Sequence, residues 1–297
     1  MKKIKILIIG GSGFIGKNLI NRFSNKKNLK ILSTYNKKKP TIIDKKVDYC
    51  KFDLEKNNNL NKLFIFDPDI IIFLAWNGIP DFSRKNSYDN FNNTIKFFSK
   101  IKSFKNCKSV IYSGTCWEVQ KKNTNKKNKY FVEVKKKINL KLKKILKKSK
   151  INLVWLRIFY VYGPMQKKNS LIPYLFQTYK KNKSPILKKP REKNDYVHIF
   201  DVVDFIYFLI KKGNINKNIN FNSGVKFSSN EINHLVKKIF MKKKNYKLNK
   251  KISHRGLTKI KRNISFKHKI DILNGIKLYY RYIKNKKILN DNYKNSI

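Results

Sequence analysis

"IKILIIGGSGFIGKNLINRF", residues 4–23, decides the fold. Residues 4–9 form a nearly unbroken apolar run, which reads as a short strand buried on both faces. Residues 17–23, "KNLINRF", place their apolar positions at helical spacing. Between the two lie Gly10, Gly13 and Gly16 in a G-x-x-G-x-x-G spacing. Strand, glycine turn and helix in that order is the setting a dinucleotide pyrophosphate requires. The first glycine permits the tight turn, the second lets the backbone approach the phosphates, and the third lets helix and strand pack closely. The helix N-terminus supplies the positive end of its dipole. A rival pattern overlaps, because Gly11 to Lys17 spells G-x-x-x-x-G-K. Asn18 follows, however, where a phosphate loop needs a Ser or Thr hydroxyl for its metal, and Phe14 and Ile15 suit a packed helix start. The dinucleotide reading is the stronger.

Downstream, the alternation continues. Apolar runs start at Leu29 ("LKILSTY"), Asp69 ("DIIIFLAW"), Ser109 ("SVIYSGT") and Ile151 ("INLVWLRIFY"). Helical patterns lie between them at Leu60–Phe66, Tyr88–Ile101 and Phe131–Leu146. Continuously apolar strands alternating with helices predict a doubly wound α/β domain on a parallel sheet. After "YGP" at 162–164 the pattern loses regularity, and Pro173, Pro185 and Pro190 punctuate short segments. We expect a Rossmann domain over 1–163 and a smaller mixed α/β substrate lobe over 164–297, with 195–225 returning to the first domain. The Lys/Asn-rich tail from Lys284 is expected to fray.

The 297 residues are long enough for one large or two modest cores, and 41% of them are apolar. Three Cys at 50, 107 and 116 have no Cys-x-x-Cys spacing, which fits a reducing compartment. The N-terminus lacks a small-residue cleavage site, and no apolar run reaches the roughly 18 residues of a membrane helix. The expected location is cytoplasmic, with no membrane partner. The formal charge of +54 invites a nucleic-acid reading. Against it, only seven of the 71 basic residues are Arg, and the lysines spread over the whole chain. Lys, Asn and Ile are abundant together and share A/T-rich codons, so biased codon usage accounts for the charge and no specific nucleic-acid partner is expected. The four His, at 198, 234, 254 and 268, have no metal spacing, and no metal site is expected.

These pieces resemble the extended short-chain dehydrogenase/reductase family, the NAD-dependent epimerase/dehydratases acting on nucleotide sugars. "GGSGFIG" looks like its cofactor loop, "FDL" like the segment whose acid meets the adenine, and "IIFLAW" like the strand lining the cofactor. "VIYSGTCWE", "LRIFYVYGP", "NDYVHIFDVVDFI" and "FNSGVKFSSNEI" resemble later motifs in family order. The details look nearest to deoxysugar-nucleotide 4-ketoreductases. The resemblance implies cofactor contacts at Gly10, Gly13, Phe14, Ile15, Gly16, Asp53, Leu54, Leu74, Ala75, Lys135, Ile158 and Val161. It implies substrate contacts at Trp76, Asn77, Thr115, Tyr160, Arg191 and His198. It also implies a homodimer built on helices, against which the like charges of "VKKKINLKLKKILKK" work. The cofactor is NAD or NADP. The position where an NAD site usually carries an acid holds Thr34, and Lys37 and Lys38 follow, which leans toward NADP.

The family pattern Tyr-x-x-x-Lys is where the chain departs most. "YFVEVKK", residues 130–136, puts Phe131, not Tyr130, four residues before Lys135. Positions four apart share a helix face, whereas five apart lie about 140° round the axis. The candidate catalytic set is Thr115, Tyr130 and Lys135. Three readings of the proton donor stay open: Tyr130 after a local distortion, another group or water, or loss of catalysis. Further departures are Val119-Gln120 for the family's Tyr-Gly, Tyr160 for a substrate-binding Asn, and Asn194 for an Arg.

Overall fold

A computed structural model describes residues 3–37, 46–120, 126–241, 252–261 and 264–285. Lys38, half of the lysine pair expected near a 2′-phosphate, lies outside these residues, as does the tail beyond 285. The chain divides into two compact units. The first comprises 1–158 and 207–219, the second 159–206 and 220–297.

The first unit opens with β1 (Ile4–Ile9), α1 (Phe14–Phe23), β2 (Leu29–Tyr35) and β3 (Val47–Lys51). It continues with α2 (Leu60–Phe66), β4 (Ile70–Phe73), α3 (Arg84–Ser99), β5 (Ser109–Thr115), α4 (Lys129–Lys148) and β6 (Asn152–Ile158). β1 is the centre of the sheet. It pairs in parallel with β2 on one side and β4 on the other, and Ile6, Leu7, Ile8 and Ile9 are at most 1% exposed. Burying each such side chain contributes about 1.5–3 kcal/mol, which is why this run tolerates no polar residue. The pairings of β2 with β3, β4 with β5 and β5 with β6 are also parallel. Against one face packs a cluster containing Phe73, Phe97, Phe98, Tyr112 and Trp155, with Tyr112 stacked between Phe73 and Trp155 at centroid distances of 4.9 and 4.6 Å.

The second unit contains β7 (Tyr160–Tyr162), α5 (Leu171–Lys180), β8 (Lys193–His198) and the start of α6 (Ile199–Lys212). The chain then returns to the first unit through the rest of α6 and most of β9 (Lys217–Phe221). β9 completes a seven-stranded sheet of order β3-β2-β1-β4-β5-β6-β9. β10 (Lys226–Ser228), α7 (Ser229–Phe240), β11 (Leu257–Lys261), β12 (Ile264–Lys267) and α8 (Ile272–Lys284) follow. β10, β8 and β7 form a small mixed sheet, antiparallel on one side of β8 and parallel on the other. α7 starts at a capping box, Ser228 with Glu231, and α8 at Asp271, whose carboxylate accepts from Asn274 N at 2.8 Å.

The result is the doubly wound parallel architecture that the alternating pattern predicts, with a smaller mixed sheet. No helix among the described residues is long and apolar enough to cross a membrane. No group of three or more His, Cys, Asp or Glu among them could hold a metal.

Candidate active site

In a parallel sheet of this order, the sense in which successive strands are added reverses between β1 and β4, and the carboxyl ends of those strands border a crevice. A groove of ≈ 200 Å³ lies there, lined by Gly10, Gly13, Thr34, Tyr35, Asn36, Asp53, Leu54, Leu74, Ala75, Trp76 and Asn77 among others. Gly10 has φ +90, and a Cβ there would stand 2.8 Å from Ala75 N, so the end of β4 approaches too closely for any other residue. A Cβ on Gly16 would meet Gly10 O at 2.6 Å, which makes this glycine the packing point of α1 on the turn.

α1 begins at Gly13 with no side-chain cap and no acid in its first turn. Its leading N–H groups are therefore not taken up by a capping side chain, and Phe14 and Ile15 sit half-buried in that turn. Thr34 Oγ1 accepts from Gly10 N at 3.1 Å, so this residue braces the glycine turn. Among the described residues, the end of β2 itself carries no acid, and Tyr35 and Asn36 line the groove there. Asp53 Oδ1 accepts from Glu55 N at 2.9 Å, which fixes the carboxyl group in the lining beside the end of β2, where Phe52 N donates to Tyr35 O at 2.8 Å. Asn77 is held by its backbone: its N donates to Asn90 Oδ1 at 2.7 Å, and its carbonyl accepts from Asn86 and Asn90. Uncapped amides, a turn that excludes side chains and flanking apolar walls together fit a dinucleotide.

Thr115 and Lys135 belong to a second cluster of the same unit, joined to the groove by Trp76. α4 is helical from Lys129 onward, so Phe131 and Lys135 share its buried face. Phe131, 6% exposed, is ringed by Trp76, Phe82 and Trp117 at centroid distances of 4.7, 4.9 and 5.8 Å. Lys135 is 3% exposed and donates to Ser113 O at 2.8 Å. Its Nζ lies 4.5 Å from the centre of the Trp76 ring, 4.9 Å from that of Tyr112 and 5.7 Å from that of Phe131. Burial pulls its pKa down to about 7, against the field of Glu118.

Tyr130 is half-exposed, with Lys129 Nζ 6.0 Å from its ring centre, and is not one of the rings around Phe131. The regular helix leaves it about 140° round the axis from Lys135.

Sequence reasoning missed Glu118. A single 3-10 turn, Cys116–Glu118, ends β5, and Glu118 is 7% exposed. Its carboxylate accepts from Thr115 N at 2.8 Å, from Trp155 Nε1 at 2.9 and 3.1 Å and from Arg157 Nε at 3.1 Å. Gly114 makes the room, since a Cβ there would stand 2.5 Å from Trp155 Nε1 and 2.8 Å from Glu118 Oε1. The carboxylate thus fixes the backbone that presents Thr115, whose Oγ1 accepts from Trp117 N at 3.4 Å. The visible signal was an acid three residues after Thr115, a capping-box spacing. Cys116 is a buried residue of this turn. Ile158 ends β6 and is buried.

The second unit holds the remaining candidates. Tyr160 and Val161 line an open cavity of ≈ 710 Å³ with Gln166, Leu171, Lys188, Asn194 and Tyr196. Asn194, in place of the family's Arg, is buried with its Oδ1 unpaired. Arg191 is exposed in the turn before β8 and does not line this cavity. His198 is buried at the end of β8, and burial pulls its pKa down to about 3. Its Nδ1 accepts from Phe200 N at 3.2 Å, which puts the ring proton on Nε2, an atom with no partner. Gly163, at φ +134, leaves space for that nitrogen, as a Cβ would lie 3.0 Å from it.

The family model described as the NAD dependent epimerase/dehydratase family matches residues 6–224. The chain belongs to that family. Among curated protein sequences none matches it. Solved structures share its fold. A UDP-glucose 4-epimerase of Thermotoga maritima superposes with a TM-score of 0.78 at 17% identity, over 96% of this chain and 100% of that one. A UDP-N-acetylglucosamine 4-epimerase of Methanobrevibacter ruminantium gives 0.76 at 20% identity, over 96% and 100%. A dTDP-glucose 4,6-dehydratase of Bacillus anthracis in complex with NAD gives 0.75 at 17% identity, over 96% and 98%.

Proposed function

We propose that the chain is an NAD(P)-dependent oxidoreductase acting on a nucleotide-activated sugar, with hydride transfer at sugar C4 and reduction of a 4-keto-deoxysugar as its reaction. The observation that carries the choice of reductase is the end of β2. Among the described residues, the strand end carries no acid of its own to claim a ribose 2′-hydroxyl; Thr34 braces the turn, Tyr35 and Asn36 line the groove, and Lys37 follows. This wall favours NADP, the cofactor form that is consumed and exchanged in reductions. The substrate class rests on family membership and on the solved relatives, crystallised with UDP-glucose and with UDP-N-acetylmuramic acid.

In this reading the dinucleotide's phosphates rest on the amides of Phe14 and Ile15, the Gly13 amide being spent on Gly10 O, and its adenosine lies by Asp53, Leu54, Leu74 and Ala75. The bound cofactor supplies the hydride. Thr115 directs its hydroxyl at the substrate oxygen, on a backbone that Glu118 holds in place. Lys135 provides positive charge in a dry setting, where it acts more strongly than in water. Ile158, Trp76 and Asn77 complete the surroundings of the reacting groups.

The test is direct. Purified protein with NADPH or NADH and a nucleotide-linked 4-keto-6-deoxysugar should show stoichiometric loss of nicotinamide absorbance, faster with NADPH. Interconversion of C4 epimers without net loss would replace the reductase reading by the epimerase one. Phe131 favours a further reading, a nucleotide-binding relative without turnover. Dinucleotide binding with no reaction across a panel of nucleotide sugars would establish that instead.

A further inference from the structure

Hydride transfer at a carbonyl or carbinol carbon leaves an oxygen that must gain or lose a proton. The buried face of α4 offers no hydroxyl for this, because Phe131 fills the aromatic position. It does offer an ammonium group. Lys135 has three N–H donors, and one of them is used, on Ser113 O. The rest of the group faces the rings of Trp76, Tyr112 and Phe131.

The other titratable groups around it are committed. On β5, the Tyr112 phenol is fully buried and its pKa is pushed far up by that burial. On the 3-10 turn, the Glu118 carboxylate is saturated by Thr115, Trp155 and Arg157. On β6, Arg157 is paired with that carboxylate. On α4 itself, Glu133 and Lys137 pair with each other on the exposed side. α3 and the loop before it bring Trp76 and Phe82, which carry no charge, and Tyr88, whose hydroxyl is bound to Glu133 and Lys137.

We propose that Lys135 is itself the proton donor and acceptor of this site, its ammonium group taking the part of the hydroxyl that Phe131 lacks. The inference rests on the NAD(P)-dependent reading above. In the reducing direction one Lys135 N–H bond breaks and the proton joins the substrate's carbonyl oxygen. The carbon receives a hydride, with its electron pair, from the reduced nicotinamide dinucleotide. The N–H bonding pair stays on nitrogen, the amine becomes neutral, and solvent returns the proton. In the oxidising direction the neutral amine takes the alcohol proton. The aromatic box serves both states: its π faces hold the ammonium ion, and its dryness lowers the cost of losing the proton, toward a pKa of about 7. A group poised near neutrality is what general acid–base work at that pH requires.

The test uses the full chain. Without any ligand, tryptophan emission followed against pH should show a transition near neutrality that disappears in Lys135→Met, with Trp76→Phe assigning the reporter. With NADPH and the keto-sugar nucleotide, the pH–rate profile should break at the same midpoint. Lys135→Arg, which keeps the charge but cannot give up its proton, should lower kcat by at least about 100-fold at saturating dinucleotide, the usual worth of a general acid, with binding of the dinucleotide itself retained by calorimetry. Adding Phe131→Tyr to Lys135→Arg should restore part of that loss. Should arginine not fit the box, Lys135→Met that binds dinucleotide but does not turn over reads the same way.

Retained turnover in Lys135→Arg, an emission transition indifferent to Lys135, or abolition of turnover by Tyr130→Phe with the Lys135 break unmoved would each overturn the proposal. If the wild-type protein binds neither dinucleotide, the reading beneath it falls as well. If it binds and turns over independently of Lys135, only this proposal falls.

Discussion

Replacing Glu118 by alanine removes the acceptor of three donors at once: Thr115 N, Trp155 Nε1 and Arg157 Nε. The indole N–H has no other bond, and it is sealed within a residue that is 0% exposed. A buried donor left without its partner costs about 1–3 kcal/mol, and breaking one side of a buried ion pair costs about 3–5 kcal/mol. The Arg157 side chain is 17% exposed and can turn part of its charge to water, so the lower half of that range applies. We expect Glu118→Ala to lose about 3–4 kcal/mol. Glu118→Gln keeps the shape and one acceptor oxygen but turns an amide toward a donor, and should lose about 1–2 kcal/mol. Urea unfolding followed by tryptophan emission measures both, since Trp155 is stacked on Tyr112 within the same core. A loss below about 1 kcal/mol for the alanine variant would show that water or a neighbour satisfies these donors, and the account of how Thr115 is held would be wrong.

Three further outcomes follow. Gly10→Ala should lower dinucleotide affinity at least about ten-fold, read by calorimetry, because φ +90 and a Cβ 2.8 Å from Ala75 N force the glycine turn open. Stability should rise with pH from about 7 toward 10: Lys135 ionises with a pKa lowered to about 7 from 10.5, so the cost of burying its charge is present in full below 7 and is relieved as pH climbs. Urea midpoints at both ends of that window should therefore differ more in wild type than in Lys135→Met. In the second unit, Asp195→Asn should cost about 1–2 kcal/mol, because the carboxylate accepts from Ser223 N, Ser223 Oγ and Gly224 N at 2.7–2.8 Å and an amide offers one oxygen in place of two; an unchanged unfolding midpoint would contradict this.

What was legible in the sequence was local or fully buried. β2 and α2 lie where the apolar pattern places them, at Leu29–Tyr35 and Leu60–Phe66, since each is set by neighbours within one segment. β3, at Val47–Lys51, was not legible. It is the outer strand of the sheet, two of its five residues are exposed, and "VDYCK" shows no continuous apolar run. β9, with "KNINF" at the opposite edge, escaped for the same reason. The groove was readable because a phosphate-binding turn needs glycines at fixed offsets. The Glu118 network was not, because its partners are 37 and 39 residues away on the adjacent strand. Phe82 likewise reaches the Phe131 ring from a loop with no periodicity to announce it.

The chain leaves the first unit after residue 158 and comes back for residues 207–219 to lay down β9. A ribosome therefore releases all of β7, α5 and β8 before the seventh strand exists. Vectorial, one-domain-then-the-next assembly is denied to this polypeptide, and a fragment stopped at residue 158 would expose the bare edge of β6, an open template for pairing with other chains.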